Sequence, residues 1–236
     1  MLDAMELTGR ARSHVIQRDD LDAALHREVL PHFLALQAAA ADDGMALRIA
    51  SGFRDFDAQL RIWNMKFSGE RPLYDAAGNL REHADLDARE LIDGILCWSA
   101  LPGASRHHWG TEIDVFDRAA MPEGYRYRML PDEYAAGGIF HRLNDWLDAN
   151  MARFGFYRPY AEYRGGVYPE PWHLSYAAIS MPALQLLTPE LVAETVRDSA
   201  VLGKDEVLAR LPEIYGKFIA NVSPARLPGQ APPLVG

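Results

Sequence analysis

Two short segments hold the residues best suited to bind a metal ion. One is Ser105-Arg106-His107-His108-Trp109-Gly110-Thr111-Glu112-Ile113-Asp114, the other Glu170-Pro171-Trp172-His173. A catalytic zinc takes three protein ligands from histidine and carboxylate side chains and leaves a fourth position for water. His107 and Asp114 are seven residues apart with Gly110 between them, so a loop can deliver the imidazole while the next strand presents the carboxylate. His173, from a separate aromatic-rich segment, completes the set. Water at such a metal becomes acidic near neutral pH and needs a carboxylate to take its proton. Glu170 lies three residues before His173, a spacing that sends the two side chains to opposite faces of a regular strand. Pro171 argues against a regular strand there, and a bend at it can turn both toward one ion.

Elements that would position these residues are legible around them. A helix is expected from Asp19 or Asp20 to about Asp42, with Leu21, Leu25, Val29, Leu30, Phe33 and Leu36 on its apolar side. Pro31 should kink or split it. Met45 to Ala50 reads as a short strand, and Ser51 to Arg54 as the turn leaving it. Helices are expected over Phe56–Phe67, Ala88–Ser99 and Gly138–Phe154, and another opening at Thr188-Pro189-Glu190. Thr111 to Asp117 alternates as a strand, with Glu112 and Asp114 on one face and Ile113 and Val115 on the other. Tyr157 to Tyr176 reads as β-like, with Gly165-Gly166 as a hairpin turn. Strands mixed with helices without regular alternation point to an α+β fold, a small antiparallel sheet carrying the metal site and flanked by helices. Residues 1–222 are expected to form one domain, and the proline-rich stretch from 223 to 236 an irregular tail.

The two metal segments resemble the S-x-H-x-x-G-x-x-x-D and E-x-W-H motifs of the VanY-type D-alanyl-D-alanine carboxypeptidases. These belong to a wider group of zinc peptidases that includes D-Ala-D-Ala dipeptidases and phage peptidoglycan peptidases. Ser51-Gly52-Phe53-Arg54-Asp55-Phe56-Asp57-Ala58-Gln59 is similar to the S-G-Y-R-S-x-x-x-Q segment of the same family. The three motifs stand in the family's order from Ser51 to His173. The resemblance implies one zinc ion on His107, Asp114 and His173, with Glu170 as general base. It implies that Arg54 holds the substrate or the developing oxyanion, and that Gln59 and Ser105 are lesser substrate contacts. His108 is the rival of His107, and the spacing to Asp114 favours His107. The sequence departs from the pattern at Phe53, Asp55 and Glu112. On the strand face it shares with Asp114, Glu112 can orient a ligand, attract a substrate amine, or face solvent. Trp109 and Trp172 read as packing walls.

The implied activity is removal of a terminal D-alanine from a peptidoglycan stem peptide or muropeptide. The alternatives to an L,D-carboxypeptidase are a D,D-carboxypeptidase, a D-Ala-D-Ala dipeptidase or peptidoglycan endopeptidase on the same scaffold, or a non-catalytic binding module. With 24 basic against 33 acidic residues and a net charge of −9, nucleic acid is not an expected partner. A substrate carboxylate must therefore find its cations inside the site. The single cysteine, Cys97, forms no intramolecular disulfide and reads as a buried thiol. The first residues have no apolar core of leader-peptide length. A cytoplasmic protein acting on the L,D bond of recycled tetrapeptides is therefore expected, or a periplasmic one if a leader has been removed.

Overall fold

The computed structural model describes residues 1–225. A four-stranded antiparallel sheet forms its centre, built from β1 (Leu47–Ser51), β2 (Glu112–Asp117), β3 (Phe156–Tyr157) and β4 (His173–Tyr176), in the order β1-β2-β4-β3. Two-stranded ribbons pair Val15–Ile16 with Leu25–His26 and Leu73–Tyr74 with Leu80–Arg81. With the helices around them the fold is α+β. None of the described helices is long and apolar enough to cross a membrane.

The principal helices are α1 (Leu30–Asp42), α2 (Phe56–Phe67), α3 (Ala88–Leu96), α4 (His141–Asn150), α5 (Ala177–Leu186) and α6 (Pro189–Arg197). Three begin on side-chain caps that the sequence supplies. Asp55 accepts from Ala58 N at 2.8 Å, Asp87 makes a capping box with Glu90, and Thr188 accepts from Leu191 N at 3.3 Å.

Three sequence expectations shift. The first helix does not run from Asp19. It begins at Leu30 with Pro31 in its first turn, where the missing N–H costs nothing, and Leu25–His26 is a strand. Gly138–Phe154 starts later, at His141, and its last turn tightens to a 3₁₀ helix over Met151–Phe154 before Gly155. Tyr157–Tyr176 is not a tight hairpin. Its ends pair, Phe156 with Tyr176 and Tyr157 with Ser175, but between them Pro159, Pro169 and Pro171 remove ladder donors and the chain loops out. Of the expected tail, Ser223 still donates its N–H to the Pro159 carbonyl at 2.7 Å; residues 226–236 lie outside the described residues.

Two apolar clusters sandwich the sheet region. Ile49, Ile113, Val115 and Leu174 pack with Phe33, Leu36, Phe140 and Leu147. Trp63, Ile92, Ile95, Val192, Val196 and Ile214 form the second cluster. Strand alternation sends Ile113 and Val115 into the first and turns Asp114 into a cavity of about 280 Å³ edged by Leu96, Leu101 and Ala104 of the second.

Candidate metal centre

Asp114 and His173 face each other across the β2–β4 ladder as directly paired residues. The register places Asp114 Oδ1 3.1 Å from His173 Nδ1. His107 arrives from a 3₁₀ turn, Arg106–Trp109, that ends at Gly110 with a left-handed φ of 65°. A side chain at Gly110 would meet Val15 Cγ1 at 2.6 Å and His26 N at 2.7 Å, so only glycine suits both the turn and the contact. The result brings His107 Nε2 to 3.5 Å from Asp114 Oδ2. One donor atom from each of His107, Asp114 and His173 lies within 4.8 Å of the others, and all three residues are buried.

Hydrogen bonds fix which nitrogen of each histidine faces Asp114. His107 Nδ1 lies 2.8 Å from the Gly52 carbonyl, which can only accept, so Nδ1 carries the proton and Nε2 keeps its lone pair. His173 Nε2 lies 2.8 Å from Glu112 Oε2, which turns Nδ1 toward Asp114 Oδ1 at 3.1 Å and Glu170 Oε2 at 3.2 Å. The rival is used up. His108 Nε2 accepts from Gly103 N at 3.1 Å, and its Nδ1 donates to the Arg54 carbonyl at 2.6 Å. His108 is therefore a structural tie, and His107 alone of the pair faces Asp114.

Burial holds His107 neutral, pushing it down to about 3, the protonation state a ligand needs. Burial also pulls His173 down, but the carboxylates of Asp114, Glu112 and Glu170 overrule it and hold the imidazole well above its ordinary range. Burial raises Asp114, yet His107, His173 and Arg54 draw it below the usual carboxylate range. Its Oδ1 has no hydrogen-bond partner among the described residues. A neutral imidazole, a carboxylate and a second imidazole whose Nδ1 proton sits among carboxylates, where a cation could replace it, fit a divalent ion with mixed nitrogen and oxygen ligands.

Glu170 reaches the same spot through a turn. His173 N donates to the Glu170 carbonyl at 3.1 Å, closing the bend around Pro171 and leaving Glu170 Oε2 3.2 Å from His173 Nδ1. Burial raises the Glu170 carboxyl, with the hydrogen bond to His173 working against it.

Behind the ligands lies a network the sequence did not announce. Arg106 is buried and donates to Ser175 Oγ at 2.7 Å, to Tyr157 Oη at 3.0 Å and to Glu112 Oε1 at 3.3 Å. Glu112 also accepts from Thr111 Oγ1 at 2.9 Å and from Ser175 Oγ at 2.7 Å. Burial raises Glu112, but Arg106 and His173 outweigh it and bring it down to about 2. Of the roles open to Glu112, the structure shows a fully buried carboxylate orienting His173. Neither a substrate amine nor solvent reaches it.

Arg54 lines the cavity, held by Gln59 Oε1 at 2.7 Å and Ser51 Oγ at 2.9 Å. Its N–H donates to the His107 carbonyl at 3.1 Å, which ties the arginine segment to the ligand turn. Gln59 stands behind Arg54. It is fully buried and its other end donates to the Ala100 carbonyl at 2.7 Å, so it braces Arg54 instead of facing the cavity. Ser105 does line the cavity, and so do Trp172 and, beyond the motifs, Lys66, Arg71, Arg128 and Tyr160. Trp109 is buried beneath Arg106, its indole N–H donating to the Leu7 carbonyl at 3.1 Å. No motif marks Lys66 or Tyr160; only the packing of α2 and of the loop before Glu170 brings them in.

Residues 22–179, well over half of the chain, match the family model VanY, D-alanyl-D-alanine carboxypeptidase. An uncharacterized protein of Haemophilus influenzae is 36% identical over 130 residues, 54% of this chain and 99% of its own length. A D-alanyl-D-alanine carboxypeptidase of Enterococcus faecalis is 31% identical over 157 residues, 64% of this chain and 47% of its own, so the chain spans about half of that relative. Among solved structures, VanYB in complex with D-alanine-D-alanine superposes with a TM-score of 0.50 at 25% identity, over 80% of this chain and 91% of that one. The LdcB LD-carboxypeptidase superposes with a TM-score of 0.52 at 20% identity, over 76% and 75%, which speaks for the fold. With this match and a His107–Asp114–His173 group that could hold a metal, the chain belongs to the VanY family of D-alanyl-D-alanine carboxypeptidases and is a metallo-carboxypeptidase.

Proposed function

We propose that the protein is a zinc-dependent carboxypeptidase that removes the terminal D-alanine from peptidoglycan-derived peptides. The observation that carries this reading is the convergence of His107 Nε2, Asp114 and His173 Nδ1 on one point, with Glu170 3.2 Å from His173. Those three residues would hold the zinc, which when bound supplies a Lewis acid to the scissile carbonyl and acidifies water. Glu170 accepts the proton of the attacking water and returns it to the leaving amine. A buried carboxyl raised above its ordinary range is well matched to both halves of that transfer. Arg54, fixed by Ser51 and Gln59, presents its guanidinium to the negative charge that develops on the carbonyl oxygen. Ser105 offers a hydroxyl at the cavity wall. Trp98 and Trp172, stacked at 6.4 Å, give the peptide an apolar side.

Relatives of this fold include both a protein bound to D-alanine-D-alanine and an LD-carboxypeptidase, and the test separates the two bonds. The metal-loaded protein is incubated with a stem tetrapeptide, which ends in an L,D bond, and with a pentapeptide, which ends in a D,D bond. Mass spectrometry should find single D-alanine released, the tetrapeptide being the expected substrate. Release of the dipeptide D-Ala-D-Ala, or internal cleavage, would replace the carboxypeptidase reading with the dipeptidase or endopeptidase one.

A further inference from the structure

Lys66 stands near the C-terminal end of α2 and lines the cavity with Arg54, Arg71 and Glu170. Its ammonium has three donors. Nζ gives one to Ser99 Oγ at 2.6 Å and makes no salt bridge among the described residues. Arg128, at the same cavity, is already paired with Asp132 at 2.6 Å, and Arg106 is bound into the Glu112 network. Two of the cavity's partly buried cations, Arg54 and Lys66, therefore have only neutral fixed partners. A carboxypeptidase substrate brings two centres of negative charge, the oxygen of the scissile carbonyl as it is attacked and the free carboxylate of the departing residue. Arg54 is tied through its own N–H to the ligand turn, next to the first centre.

We propose that Lys66 is a substrate-recognition residue whose ammonium takes the free carboxylate of the departing residue, with Ser99 fixing the direction of approach. This assignment rests on the carboxypeptidase reading above. Burial disfavours the charged form of this lysine, and the Glu170 carboxylate supports it only from beyond salt-bridge distance. A carboxylate entering the cavity meets a half-buried cation already aimed by Ser99, and hydrogen bonds between charged partners are the strong ones. In a chain of net charge −9, such an internal cation also does what the surface field cannot.

The test uses the full-length, metal-loaded enzyme and two peptides that differ only at the end, one with a free D-alanine carboxylate and one with the D-alanine amide. Lys66→Met should lower kcat/KM for the free acid by roughly 30-fold, mostly through KM, and leave the amide nearly unchanged. Lys66→Arg should keep a clear preference for the acid. Ser99→Ala, which preserves the charge and removes only its tether, should raise KM for the acid alone. Metal content and melting temperature of each variant are measured alongside. Equal losses on acid and amide in Lys66→Met, as a merely structural lysine would give, overturn the assignment while the carboxypeptidase reading stands. A wild-type enzyme that releases the terminal residue from neither peptide removes that reading and Lys66's role with it.

Discussion

Glu112 Oε2 holds His173 Nε2 at 2.8 Å, and this one bond turns the other ring nitrogen, Nδ1, toward Asp114. The carboxylate is itself clamped by Arg106, Ser175 and Thr111, so the ring is oriented by a chain of buried groups. Glu112→Gln keeps the shape and weakens the charge. Its metal affinity should fall by roughly 10- to 100-fold, read by competition with a chromogenic chelator. Glu112→Ala leaves Arg106 buried without its counter-ion and should also cost about 3–5 kcal/mol of stability, read by denaturant unfolding.

His107 and His108 are adjacent yet do different work. His107→Ala should abolish stoichiometric metal binding, read by elemental analysis after dialysis. His108→Ala should retain the metal and instead lose about 1–3 kcal/mol of stability, because Gly103 N–H and the Arg54 carbonyl lose their partner. Metal retained in the first variant and lost in the second would reverse the assignment.

Glu170→Ala should keep the metal and the fold while turnover falls by roughly 10²- to 10⁴-fold. The side chain makes contact with His173 but belongs to neither clamp, that of His107 on Gly52 nor that of His173 on Glu112. Metal analysis and steady-state kinetics on one preparation check both halves of the expectation.

Alkaline pH should weaken substrate binding before it affects chemistry. Burial lowers Lys66 to about 8, with the Glu170 carboxylate supporting its charge and Arg71 and Arg54 opposing it. Below that value the ammonium is charged and can take a carboxylate; above it the amine is neutral. KM for a free-acid peptide should therefore rise as pH passes about 8, while KM for the amide stays flat. Lys66→Arg, which stays charged, should abolish the rise.

How far the sequence could be read follows from how local each feature is. The span of α2, the strand around Asp114 and the caps at Asp55 and Thr188 depend on near neighbours, and all are visible in periodicity and residue type. The bend at Pro171 was open from sequence because proline forbids a ladder bond without saying where the chain turns instead. The exclusion of His108 needed its two partners, Gly103 and Arg54, of which Arg54 is 54 residues away. The burial of Gln59 and its bond to the Ala100 carbonyl were not legible either, because an amide in a motif carries no sign of its surroundings. Lys66 and Arg106 left no signal, since a cation's meaning comes from what faces it, and both are faced by residues distant in the chain.

The pairing of β2 with β4 brings Asp114 beside His173 although 58 residues separate them. Everything the metal requires is anchored at the two ends of that interval, whereas Arg128, Met129 and Leu130 of the cavity wall lie within it. Lengthening a connection costs little, roughly 0.6 kcal/mol for each doubling. The loop that carries Arg128, Met129 and Leu130 can therefore be rebuilt while the ion-binding register and the core residues Phe140 and Leu147 are kept. In evolutionary terms such a loop is free to drift, so that the peptide accepted could change while the candidate ion-binding register is inherited intact.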